Sequence, residues 1–179
     1  MNPEALERVR LRFAMLDENS NGYLEADDFE RLAHRMVRAV AEPPDSEKAL
    51  AVVEGHRRYW QGLVGEFDAD GDRRISLEEY LARVSGPDHY EGVIREYAES
   101  LADLADVDDD GFIERSDFVS CMRAAGFEAD GVDAAFDALD PTGAGRITTD
   151  AWVNAIRDYY ASDRTDIPAQ HLLDAADIG

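Results

Sequence analysis

The chain has a single cysteine, Cys121, in 179 residues, which excludes an internal disulfide and suits a reducing compartment. Cys121 lies on an apolar stretch and is expected as a small buried hydrophobe. There is also a single lysine, Lys48, and the 18 basic residues face 40 acidic ones for a formal net charge of −22. That balance argues against nucleic-acid or anionic-membrane binding, both of which need basic patches. No apolar run approaches the ~18 residues of a membrane span. The start, M-N-P-E-A-L-E-R, has no signal-peptide apolar core, so a cytoplasmic location is the expectation. Methionines number four, Met1 included, and are scattered; a methionine-rich surface for many partners is not expected. No G-x-S-x-G elbow, H-E-x-x-H helix, P-loop or paired-cysteine zinc motif occurs, and the chain is expected not to be an enzyme.

What the chain does have is an acidic, glycine-containing loop of about twelve residues, repeated four times in one register. The loops begin at Asp17, Asp68, Asp106 and Asp140. Their eighth positions are Leu24, Ile75, Ile113 and Ile147, and an aromatic follows each: Phe29, Tyr80, Phe118 and Trp152. A hard cation such as Ca²⁺ takes six to eight oxygens, which such a loop supplies from alternate side chains, one carbonyl and a closing carboxylate. The second loop offers Asp68, Asp70, Asp72, the Arg74 carbonyl, Ser76 and Glu79. The third offers Asp106, Asp108, Asp110, the Phe112 carbonyl, Glu114 and Asp117. The first offers Asp17, Asn19, Asn21, the Tyr23 carbonyl, Glu25 and Asp28, with fewer charges.

The fourth loop keeps Asp140, Gly145 and Ile147 but has Ala144 and Ala151 where two ligands are required. It is expected to bind no metal and to persist as a structural partner for the third, so three Ca²⁺ ions are expected in all. Asp28 and Asp117 close the first and third loops where glutamate would reach further, which moves these sites toward Mg²⁺ as a competitor. Arg73 stands where glycine normally takes a left-handed backbone, at a cost of roughly 1–2 kcal/mol, so the second loop is expected to bind with somewhat altered geometry. Crowded carboxylates in the third loop should make folding depend on the cation.

Apolar periodicity places helices on both sides of each loop. Leu6, Val9, Phe13 and Leu16 precede the first, and Phe29, Leu32, Met36 and Val40 follow it. Leu50, Val53, Trp60, Leu63 and Phe67 lead into the second, and Val93, Tyr97, Leu101 and Leu104 into the third. Breaks are expected at 41–47, which holds two prolines, and at 85–88, S-G-P-D.

These residues resemble the EF-hand superfamily, and the layout is similar to the four-hand sarcoplasmic calcium-binding proteins and calerythrin. The narrower match rests on length, the long insertion between the first two hands, a degenerate hand and a tail. The resemblance implies an all-α fold of four helix-loop-helix hands in two pairs forming one compact body. It also implies a short antiparallel bridge in each pair, Leu24 with Ile75 and Ile113 with Ile147. The expected division is 1–85, 86–160 and a tail, 161–179, whose Ile167, Leu172, Leu173 and Ile178 fold back over the core. The function expected is that of a monomeric calcium buffer. Two alternatives stand beside it: a calcium sensor that exposes an apolar groove to a protein target, and a luciferin-binding photoprotein whose cavity His34, His56, His89, His171, Trp60 and Trp152 would line.

Overall fold

Each apolar stripe forms a helix because a cap or a chain reversal stops it at a defined residue. The computed structural model describes residues 3–84, 91–160 and 166–174. In chain order these form α1 (Pro3–Leu16), β1 (Tyr23–Leu24), α2 (Ala26–Ala39), α3 (Glu47–Phe67), β2 (Ile75–Ser76) and α4 (Leu77–Arg83). There follow α5 (Glu91–Ala105), β3 (Phe112–Glu114), α6 (Arg115–Ala124), α7 (Ala129–Leu139), β4 (Arg146–Thr148), α8 (Thr149–Tyr160) and α9 (Gln170–Asp174).

The break after α2 is made before the prolines are reached. Ala41 takes a left-handed φ of 55°; its N–H donates to the Arg38 carbonyl and that of Glu42 to the Val37 carbonyl. That is a Schellman stop with alanine where glycine is usual. Ser46 then caps α3 by accepting from the Ala49 N–H at 3.0 Å. The expected break at 85–88 and its domain boundary lie outside the described residues, as does Ile178.

β1 and β2 pair antiparallel, with Leu24 opposite Ile75. β3 and β4 pair antiparallel, with Ile113 opposite Ile147. All four eighth-position side chains are buried, so each bridge pins two loops to the core. The two pairs then pack on each other through α3 against α5 and α2 against α6. Phe29, Tyr80, Phe118 and Trp152 are all buried core, and Cys121 is fully buried, its thiol pushed up to about 12 by burial.

Leu50 departs from the expected stripe and is 57% exposed. The buried face of α3 runs through Ala49, Val52, His56, Tyr59 and Leu63, and Leu50 falls beyond its edge. Arg8 and Arg12 depart the other way, being buried on α1. Arg12 donates from Nε to the Tyr80 hydroxyl at 2.6 Å, and its guanidinium lies 4.5 Å from the Tyr160 ring centroid. A charge out of water needs such partners, and here they tie α1 to α4 and α8.

Ile167, Ala169, Leu172 and Leu173 are buried, and α9 packs against α7 and α1. Beneath it lies an apolar cavity of about 90 Å³. Met15, Met36 and Met122 all line it, so methionines scattered in the chain converge in space. Of the six residues expected around a luciferin, only Trp152 lines this cavity. His56 is buried elsewhere, edge-on to Tyr97, and burial pulls its pKa down to about 4. His34 is exposed, and His89 is outside the described residues.

Candidate metal centre

All four loops share one backbone device. The first-position aspartate accepts from the sixth-position N–H: Asp17 from Gly22 at 2.8 Å, Asp68 from Arg73 at 2.9 Å, Asp106 from Gly111 at 2.9 Å and Asp140 from Gly145 at 2.8 Å. The chain can turn its amides inward only by taking left-handed φ at the fourth and sixth positions. Ser20 and Gly22 do so in the first loop, Gly71 and Arg73 in the second, Asp109 and Gly111 in the third, Gly143 and Gly145 in the fourth. Arg73, at φ 62°, therefore adopts the strained conformation expected of it, and the loop keeps its shape at a cost of roughly 1–2 kcal/mol.

Carboxylates converge in two of the loops. Among the described residues, Asp68, Asp70 and Glu79 bring one oxygen each within 4.8 Å of one another, and so do Asp106, Asp108 and Asp110. Asp72 accepts from the Arg74 N–H at 2.8 Å, and Asp110 from the Phe112 N–H at 2.9 Å. In the first loop Asn21 plays the same part for Tyr23 at 2.9 Å, while its amide donates to Glu25 at 2.7 Å. Asn19 accepts from the Asn21 N–H at 3.0 Å. The fourth loop has Asp140 alone in such a role, accepting also from Ala144 at 3.0 Å.

Two of the closing acids also cap a helix. Asp28 accepts from the Glu25 N–H at 2.9 Å, and Glu79 from the Ser76 N–H at 2.9 Å and its hydroxyl at 2.8 Å. Each thus completes the capping box of the helix that leaves its loop. Their environments differ. Burial raises the Asp28 pKa, with Asp17 and Glu25 adding to it against two backbone hydrogen bonds. Burial, then Asp108, raises that of Asp117. The Ser76 N–H and hydroxyl lower that of Glu79.

These residues fit a divalent oxygen-loving cation. Asp28 Oδ1 is buried with no hydrogen-bond partner, an arrangement whose cost a bound cation removes. Three converged carboxylates in the second and third loops have the donor chemistry of Ca²⁺ rather than of a thiolate- or imidazole-seeking metal.

The two bridges also repeat a feature that the spacing alone did not reveal. At the seventh position Tyr23 faces Arg74, whose guanidinium is 3.8 Å from the ring centroid. Phe112 likewise faces Arg146 at 4.0 Å. Arg74 pairs with Glu25 at 3.3 Å and Arg146 with Asp110 at 3.7 Å, so each even-numbered loop offsets charge on its odd-numbered neighbour. The signal was an aromatic and an arginine at matched positions across each pair.

Residues 6–85 match the family described as an EF-hand domain pair. That stretch of the chain is an EF-hand pair. It is similar to calerythrin of Saccharopolyspora erythraea, 23% identical over 163 residues that cover 87% of this chain and 92% of that protein. It is also similar in structure to a Streptomyces coelicolor calcium-binding protein studied for calcium-mediated regulation. There the TM-score is 0.78 at 28% identity, over 89% of this chain and 99% of the other. A sarcoplasmic calcium-binding protein from amphioxus shares the fold, with a TM-score of 0.72 at 17% identity over 97% of each chain. The proteins it resembles are EF-hand calcium-binding proteins and not enzymes. Among the described residues no helix is long and apolar enough to cross a membrane.

Proposed function

We propose that this EF-hand protein is a monomeric cytoplasmic calcium buffer, with Ca²⁺ in its first three loops and none in the fourth. The first ion would be held by Asp17, Asn19, Asn21, the Tyr23 carbonyl and Asp28. Asp68, Asp70, Asp72, the Arg74 carbonyl and Glu79 would hold the second, and Asp106, Asp108, Asp110, the Phe112 carbonyl and Asp117 the third. A bound cation supplies the positive charge that lets these carboxylates sit together without repulsion. The chain contributes the rest: left-handed turns aim the amides inward, the buried bridges fix the loops, and Asp28 and Glu79 are held by the helices they cap. The shorter closing aspartates favour six-coordinate geometry in the first and third loops, where Mg²⁺ competes. The division at 85 and 160 belongs to this proposal.

The observation that carries the buffer reading is the tail. Residues 167–173 close the apolar cavity between the pairs, and Ile167 and Leu172 are each 5% exposed. The large exposed hydrophobics among the described residues are Tyr23, Leu50, Leu77 and Val107, a short set that supports the buffer reading. A calorimetric Ca²⁺ titration with and without millimolar Mg²⁺ tests this. Three sites are expected, with the first and third weakened by Mg²⁺; fewer than two sites would overturn the ligand assignment.

One observation favours a sensor instead. Met15, Met36 and Met122 line the cavity under α9, so release of the tail would expose the flexible apolar lining that suits a target helix. Calcium-dependent binding of a dye to apolar surface decides between the two: a buffer gives no rise on adding Ca²⁺, and a sensor gives a large one.

A further inference from the structure

The chain's one lysine is placed where it joins the two halves of the molecule. Lys48 lies in the first turn of α3, whose start is set by Ser46. Its side chain is only 19% exposed, and Nζ pairs with the Asp109 carboxylate of the third loop at 2.8 Å. The same Nζ donates to the Asp106 carbonyl at 2.5 Å. That carbonyl also accepts from the Asp109 N–H at 3.4 Å, so Lys48 grips both ends of the turn that gives Asp109 its left-handed φ of 59°.

Neither contact uses an oxygen of the converged set of Asp106, Asp108 and Asp110. Lys48 therefore holds the loop without competing for the ligand oxygens. The other end of α3 is capped by Asp68, the first residue of the second loop. One helix of 21 residues, roughly 30 Å long, thus has one loop as its C-cap and grips another from its first turn.

We propose that Lys48 is a positioning residue that couples the second and third loops, so that filling either raises the affinity of the other. The proposal rests on the ligand assignment above. An ion in the second loop fixes the C-terminal end of α3; with α3 held, Lys48 presents the Asp106–Asp109 turn in its binding form, and less ordering remains for the third ion to impose. Linkage makes the effect reciprocal, within the roughly 5- to 150-fold range usual for coupled sites. Arginine would keep the charge and reach, methionine the apolar stem alone.

The test uses the full chain with the first loop silenced by Asp17→Asn. Occupancy of the third loop is followed at the Gly111 amide by NMR during Ca²⁺ titration, with the second loop intact or silenced by Glu79→Gln. The expected result is a third-loop affinity at least five-fold higher when the second loop is intact, in line with the range above. That ratio should fall to one in Lys48→Met and in Asp109→Asn, and persist in Lys48→Arg. Asp109 is not at a ligand position, so its variant serves if Lys48→Met folds poorly. A ratio of one in the parent chain, or an unchanged ratio in both variants, overturns the coupling while leaving the ligand assignment intact. No Ca²⁺ response in either loop overturns both.

Discussion

The third and fourth loops are hydrogen-bonded to each other across one small sheet and have nearly the same backbone, yet they offer a cation very different surroundings. Both start with an aspartate that draws in the sixth-position amide, and both bury an isoleucine at the eighth position. Asp108, Asp110 and Asp117 in one correspond to Thr142, Ala144 and Ala151 in the other. The loop shape common to both therefore depends on the first, sixth and eighth positions, and the proposed difference in cation binding lies at the third, fifth and twelfth. A hand that loses the second set keeps its place because its partner still needs a bridge.

The sharpest way to break this contrast is to convert the third loop to the fourth-loop pattern with Asp110→Ala and Asp117→Ala. One ion fewer is expected by calorimetry, a loss of the ~8 kcal/mol that micromolar binding represents. Helical circular dichroism should be retained. The reverse change, Ala144→Asp with Ala151→Glu, should give the fourth loop an ion at millimolar affinity, worth about 4 kcal/mol, and mass spectrometry would count it.

Smaller effects test the shape determinants. Asp140→Ala leaves the Ala144 and Gly145 amides without their acceptor and should cost about 2 kcal/mol in urea unfolding, with no change in ion count. Acidification sharpens the contrast between closing acids. The raised carboxyls of Asp28 and Asp117 hold their protons to higher pH, and a proton there competes with the cation. The lowered Glu79 stays ionised. Lowering the pH from 7 to 5 should weaken the first and third loops more than the second, as read by calorimetry. Least of all, Arg73→Gly should stabilise the metal-free fold by about 1 kcal/mol through relief of its left-handed φ, seen as a rise in melting temperature.

The four loops, their order and the turn residues within them could be read from the chain. Each follows from spacing within about twelve residues, and the turns that aim an oxygen or an amide are local chemistry. Arg73 was legible for the same reason, since only its own φ was at issue.

Elsewhere local signals ran out. The prolines at 43 and 44 pointed to the right break but to the wrong agent, because Ala41 had already reversed the chain. Leu50 matched the helical period but not the face that α5 covers. Methionines far apart in sequence met in one cavity, and Arg8 and Arg12, charged and so expected in water, became buried against tyrosines.

The sequence by itself determined where the four loops begin and which residues take their turn and eighth positions, because those relations are set by short spacings along the backbone. Only the tertiary structure decided where α3 lies. With it came the reach of Lys48 into a loop 58 residues away and the cover that α9 lays over the cavity, since contacts between distant segments depend on how the helices pack and not on any local pattern.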